Sequence, residues 1–222
     1  MNYDFTIRDF WMMVQGAGVT FLLTIVSGAL GTILGFFVGW ARTSRSRIVY
    51  HVLGIYIDTI RSVPLLIQFV LFNSFMAIAG YPLNPFVSGI ITLSVYIAGY
   101  VAEVVTAGIM SVPSQMRRAA RGLGMTYIQD FIHVVAPIGL RTVFPAWIGL
   151  MLGLMKDTSL IAVLGATPPE LLRSSQIIIN RTQEPLAVLL GAGAFYFIMC
   201  YVITQFSAWH EVSWKKARGV VK

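Results

Sequence analysis

Polar and charged positions divide this chain into long apolar runs whose lengths predict membrane-spanning helices. No charge occurs between Asp9 and Arg42. A helix of about 20 apolar residues crosses the hydrocarbon core of a bilayer, so a first span is expected at roughly 14–40. A second uncharged run extends from Ser62 to Ala102. The segment Gly80-Tyr-Pro-Leu-Asn-Pro85 divides it, because Pro82 and Pro85 donate no backbone hydrogen bond and Asn84 favours a turn. Spans are therefore expected at roughly 55–79 and 86–110. A fourth, roughly 134–164, contains Pro137, Pro145 and the adjacent pair Lys156-Asp157. A polar connection with Pro168, Pro169 and Glu170 leads to a fifth at roughly 185–208. The chain reads as an all-α membrane protein, one transmembrane domain over 1–222 with about five transmembrane helices. Its polar segment 111–133 joins spans three and four. No internal repeat or low-complexity stretch stands out.

Composition strengthens this reading. The 222 residues are 57% hydrophobic and 11% charged, with a mean hydropathy of +0.76. Soluble domains carry about 25% charged residues, so this chain cannot cover a water-facing surface. The net charge is +7, but ten of the 16 basic residues gather in three places: Arg42, Arg45 and Arg47; Arg117, Arg118 and Arg121; and Lys215, Lys216, Arg218 and Lys222. With five spans all three fall on one side, which the positive-inside rule makes the cytoplasm. The N-terminus is then outside and the C-terminus cytoplasmic. Lipid is the expected partner of these charges, not nucleic acid, since the aromatic-interleaved basic stripe of an RNA binder is absent. The single Cys200 excludes a disulfide within the chain, and no metal-ligand spacing is present. The start lacks a signal peptide's basic residues and cleavage site, so the first apolar run is expected to stay as a span.

Five features are candidates for function. Gly31, Gly35 and Gly39, with Gly28 near them, place small residues on one helix face. Another helix, from this chain or from a second subunit, can approach closely there. Asp58 and Arg61 lie three apart and can pair on one face. Pro64 then bends or starts a span, and Gln68 sits in an apolar run, either bonding to a neighbouring helix or lining a solute path. Glu103, in Tyr96-Ile-Ala-Gly-Tyr-Val-Ala-Glu103, reads as a structural pair with Arg61 or, less readily, as a proton relay. Lys156 and Asp157 point about 100° apart on a helix. They do not neutralise each other, so with Thr158 and Ser159 they read as site or gate lining or as a structural clamp. Finally, Pro113 ends span three. Gln115–Gly122 predicts a short helix, stopped at Gly122 or Gly124, and Thr126 caps a second helix over 127–135.

That last segment resembles the cytoplasmic signature loop of ABC importer permeases, which reads Glu-Ala-Ala, three residues, Gly, and later an aliphatic residue before Leu-Pro. Here Arg118-Ala119-Ala120 is followed by Gly124, and Val134-Val135-Ala136-Pro137 closes the pattern. The chain as a whole, over roughly 10–210, resembles the polar amino acid branch of that family. Arg61-Ser-Val-Pro-Leu-Leu-Ile-Gln68 is similar to that branch's Arg-Gly-Thr-Pro-Leu-Leu-Val-Gln. Ala102-Glu103, Gly108-Ile109, Ser111-Val-Pro113, Leu140-Arg141, Pro145, Lys156-Asp-Thr-Ser-Leu160 and Glu170-Leu171 also fall at matching places.

The resemblance implies a type I ABC importer permease fold in the bacterial cytoplasmic membrane. It also implies a dimer of cytoplasmic ATPases, a second permease subunit and a periplasmic or tethered solute-binding protein as partners. Gln115, Met116, Arg117, Arg118, Ala119, Ala120, Arg121, Gly124 and Met125 would couple to the ATPase. Gln68, Tyr96, Lys156, Asp157, Thr158 and Ser159 would line the solute path, and Arg61 and Glu103 would form a structural ion pair. The chain itself is not expected to be an enzyme: it has no phosphate-binding loop and is expected to hold no cofactor, with ATP and Mg on the ATPase. Three positions depart from the family. Arg118 replaces its glutamate, Thr106 its arginine, and Gly149-Leu150 a pair of polar residues that help hold the solute. The last departure predicts a heterodimeric permease in which this chain is the less polar half, an identical partner being the alternative. Two other readings are a secondary transporter or channel, which would need inverted repeats or buried midplane acids, and a non-transporting scaffold for an ATPase.

Overall fold

The computed structural model describes residues 5–44 and 46–216, with side chains to 209. Arg45 and the basic tail 215–222, on which the orientation argument partly rests, lie outside the described side chains. The regular elements among the described residues are helices: α1 (Ile7–Arg42), α2 (Arg47–Ser62), α3 (Leu65–Ile78), α4 (Pro85–Met110), α5 (Ser114–Gly122), α6 (Tyr127–Asp130), α7 (Ala136–Asp157), α8 (Leu171–Thr182) and α9 (Pro185–Lys216). A π-helical turn, Phe131–Val135, joins α6 to α7, and a 3-10 segment, Thr158–Leu164, follows α7.

Four helical stretches are long and apolar enough to cross a membrane: Ile7–Arg42, Pro85–Met110, Tyr127–Leu164 and Pro185–Trp209. The pair α2 and α3, bent by 106°, supplies a fifth when counted together. Here the structure departs from the continuous span expected at 55–79. Helix starts at Arg47 and breaks at Val63-Pro64, because Pro64 has no N–H for the ladder. The fourth span also begins earlier than expected. Thr126 caps α6, and the π turn carries the helix past Pro137.

The residues group into two compact units, each assembled from separate stretches. One unit comprises Met1–Val26, Phe69–Ile90 and Met151–Lys222. Its core packs Met13 and Ala17 of α1 against Leu171 and Ile178 of α8 and Val188 and Ala192 of α9. Gly16 permits the close approach, since a Cβ there would lie 2.6 Å from Ser174 Oγ and 2.9 Å from Leu171 Cα. The start of α1 is tied down electrostatically: Asp9 accepts from Thr6 N and Oγ1, both at 2.8 Å, and pairs with Arg181 at the end of α8.

The other unit comprises Ser27–Gln68 and Ile91–Leu150. Along α1 and α4, Gly31 faces Ser94, Gly35 faces Ala98 and Gly39 faces Ala102. Added Cβ atoms would come within 2.8, 2.7 and 2.5 Å of the three carbonyl oxygens. The glycine ladder is thus filled from within the chain. α4 meets α7 the same way, with a Cβ at Gly139 only 2.8 Å from Gly108 O. Ile109, Val112 and Val135 form the buried cluster at this end, flanked by Trp40 and Phe131.

Candidate functional site

The polar segment after α4 folds into a knob of two short helices. α5 ends in a Schellman motif: Gly124 N donates to Arg121 O at 3.0 Å and Met125 N to Ala120 O at 3.2 Å. Gly124 has φ +85°, a conformation natural to glycine. Thr126 and Gln129 then form a capping box, with Thr126 N donating to Gln129 Oε1 at 2.8 Å and Gln129 N to Thr126 Oγ1 at 3.3 Å.

Two arginines clip the helices together. Arg117 Nε lies 3.3 Å from Asp130 Oδ2, whose side chain is 1% exposed. The Arg121 guanidinium lies 5.8 Å from the Tyr127 ring centroid. Arg118 makes no ion pair among the described residues. It is exposed, as are Met116, Leu123 and Ile128, so Arg118 stands amid apolar side chains. Ala120 is buried and Ala119 exposed; Gln115 is exposed and Met125 half-buried. An open cavity of about 1070 Å³ runs between the knob and the end of α1, lined by Trp40, Thr43, Ser44, Arg117, Arg118 and Asp130 among others.

A second charged cluster sits on α4. Glu103 accepts from Arg42 at the end of α1, and Arg61 Nη1 lies 3.6 Å from the same Oε1. Arg61 also lies over the Tyr100 ring, 5.3 Å from its centroid, so it turns to α4 and makes no ion pair with Asp58, the partner its spacing suggested. Thr106 donates to Gly39 O at 3.2 Å and Ala102 O at 2.8 Å.

The proposed path residues are divided between the two units. Gln68 Nε2 donates to Ile60 O and Val63 O, both at 2.8 Å. It thereby satisfies carbonyls freed where α2 breaks. Tyr96 OH donates to Tyr100 OH at 3.3 Å. Both belong to the glycine-ladder unit. Lys156, Asp157, Thr158 and Ser159 belong to the other, at the junction of α7 with the 3-10 segment. Lys156 is exposed, Asp157 and Ser159 half-buried, and Thr158 buried with its hydroxyl on Met155 O at 2.8 Å. Gly149 has open space where a Cβ would stand.

Sequence reasoning missed three partners. Asp130 carried no spacing signal, because only the folded turn brings it to Arg117. Arg42 was legible in hindsight: the glycine ladder sets Gly39 beside Ala102, which places Arg42 near Glu103. Glu170 proves to be the cap of α8. Its Oε1 accepts from Arg173 N and its Oε2 from Leu172 N, both at 2.7 Å, and Tyr196 OH donates to Oε2 at 3.2 Å. Burial pushes its carboxyl above the usual range, against the pull of those donors.

With this geometry in view, similarity to known proteins is informative. The L-cystine transport system permease protein TcyB of Bacillus subtilis is 33% identical over 206 residues, covering 91% of this chain and 86% of that protein. The glutamine transport system permease protein GlnP of Escherichia coli K12 is 29% identical over 195 residues, covering 87% and 88%. A crystal structure of an amino acid ABC transporter with histidines superposes with a TM-score of 0.86 at 26% identity, over 96% of this chain and 100% of the other. The MetNI methionine ABC transporter, at 21% identity and a TM-score of 0.80, shares the fold, with 98% and 100% covered. The family model of the binding-protein-dependent transport system inner membrane component matches residues 31–215, across the glycine ladder, the knob and α7 to α9, and the chain belongs to that family.

Proposed function

We propose that this chain is the permease subunit of an ATP-driven importer of polar amino acids or related zwitterions. A solute-binding protein delivers the solute outside, and a cytoplasmic ATPase dimer drives the change between outward and inward access. ATP and Mg are held, and ATP is hydrolysed, by the ATPase. The observation that carries the reading is the clipped knob from Ser114 to Asp130, a rigid projection on an otherwise apolar chain. A lever must not flex under load, and the Schellman turn, the capping box and the Arg117–Asp130 pair supply that stiffness. In this reading Gln115, Met116, Arg118 and Leu123 meet the ATPase. The free Arg118 implies a carboxylate opposite it.

Tyr96, Lys156, Asp157 and Ser159 are the path-lining candidates, while Gln68 and Thr158 serve local backbone groups. Because Gly149 and Leu150 offer no side-chain hydrogen bond, the second permease subunit is a different, more polar chain. The test is ATP hydrolysis by the complex in lipid, with binding protein and single amino acids added. Stimulation only when the sister permease is co-expressed supports the heterodimer. Equal stimulation without it establishes two copies of this chain, and no stimulation by any amino acid removes the solute assignment.

A further inference from the structure

α1 and α4 advance together: residues 31, 35 and 39 meet 94, 98 and 102 in the same order. Two parallel crossing helices require the chain between them to return once across the bilayer. That return would ordinarily run antiparallel to α4, and α2 does not. Its Tyr56 hydroxyl donates to Val95 O at 3.1 Å, its Ile60 side chain lies 3.1 Å from where a Gly99 Cβ would stand, and Arg61 reaches Glu103. The contacts on α2 therefore ascend with those on α4. Near the beginning of α2, Tyr50 lies under the Arg42 guanidinium, 5.1 Å away, and Arg42 is itself bonded to Glu103. Arg61 thus reaches Glu103 directly, and Tyr50 reaches it through Arg42. A helix standing along the membrane normal would separate Tyr50 and Arg61 by about 16 Å in depth, at 1.5 Å per residue.

The surface of α2 has three faces. Gly54 and Ile57 are buried against the protein. Ile48, Val52 and Ile55 form an exposed apolar stripe, 77, 58 and 68% accessible. Arg47, His51, Asp58 and Ser62 form an exposed polar stripe beside it. A spanning helix has no use for a polar outer stripe. A helix lying in the boundary between headgroups and acyl chains needs one apolar and one polar stripe side by side.

We infer that α2 does not cross the membrane but lies in the headgroup boundary of the leaflet on the Arg42 side, with Ile48, Val52 and Ile55 inserted among phospholipid acyl chains and Arg47 facing anionic headgroups. α3, about 21 Å long, and the segment 79–84 make the return crossing. The 106° bend at Pro64 is the corner between the two directions.

The test uses the assembled transporter in nanodiscs of phosphatidylcholine and phosphatidylglycerol. Single nitroxide labels are placed at positions 48, 52 and 55 and at 51 and 58 in a Cys200→Ser background. Power saturation with oxygen and with a water-soluble nickel chelate reports depth. Equal, shallow depths at 48, 52 and 55, with 51 and 58 open to nickel, support the inference. Depth that grows steadily from 48 to 58 overturns it in favour of a spanning helix. Labels at 48, 52 and 55 shielded from both reagents also overturn it, and assign the stripe to a second permease subunit.

Discussion

Arg117 and Asp130, thirteen residues apart in sequence, meet at 3.3 Å across the Gly124 turn, and the carboxylate is almost wholly enclosed. Breaking a buried pair from one side leaves an uncompensated charge, commonly worth about 3–5 kcal/mol; Arg117 is 30% exposed, so the lower part of that range or less applies. Arg117→Ala should therefore destabilise more than the double variant Arg117→Ala with Asp130→Ala. Thermal unfolding in detergent checks this. Strictly additive losses would show that the pair is not coupled.

Gly124 sits at φ +85° with open space around it. The cost of Gly124→Ala is then conformational, about 1–2 kcal/mol for a residue with a Cβ in the left-handed region. Gly124→Pro additionally removes the N–H that bonds Arg121 O. Both variants should insert normally and lose coupled ATP hydrolysis, the proline more severely. Unchanged uptake in Gly124→Pro would count against the knob as a lever.

Gly35 and Gly149 make a matched pair of opposite expectation. A Cβ at Gly35 meets Ala98 O at 2.7 Å, a backbone atom that cannot step aside, whereas one at Gly149 meets nothing within 4 Å. Gly35→Ala should lower the melting temperature by forcing α1 and α4 apart, while Gly149→Ala leaves it unchanged. Equal effects would show that the two helices do not pack at the glycine ladder.

Glu170 links stability to pH. Its folded carboxyl titrates above the usual range because burial disfavours the anion. The stability it contributes is complete below the ordinary glutamate range and is lost as pH rises through its folded value. Melting temperature should fall over that window in the native chain, and Glu170→Gln should flatten the fall. A profile unaltered by the substitution would refute the assignment.

Asp157 is half-buried at the end of α7, beside an exposed Lys156. If it lines the path, Asp157→Asn, which keeps the shape and removes the charge, should depress uptake while the complex still assembles. Failure to assemble would make it a structural clamp instead.

The sequence by itself determined the class of this protein. Apolar run length, charge placement and turn residues follow from bilayer thickness and backbone chemistry, which act locally. They specified α4 and the start of α9 to within a residue, though α9 runs on to Lys216, past the expected end at 208, and the Pro113, Gly124 and Thr126 signals marked the knob helices. Tertiary structure decided what depends on distant approach: that Glu103 holds Arg42 as well as Arg61, that Asp130 braces Arg117, that Gln68 caps a broken helix, and that α2 lies against α4. Each requires two backbones to be brought together, and spacing within one segment carries no record of which other segment will lie against it.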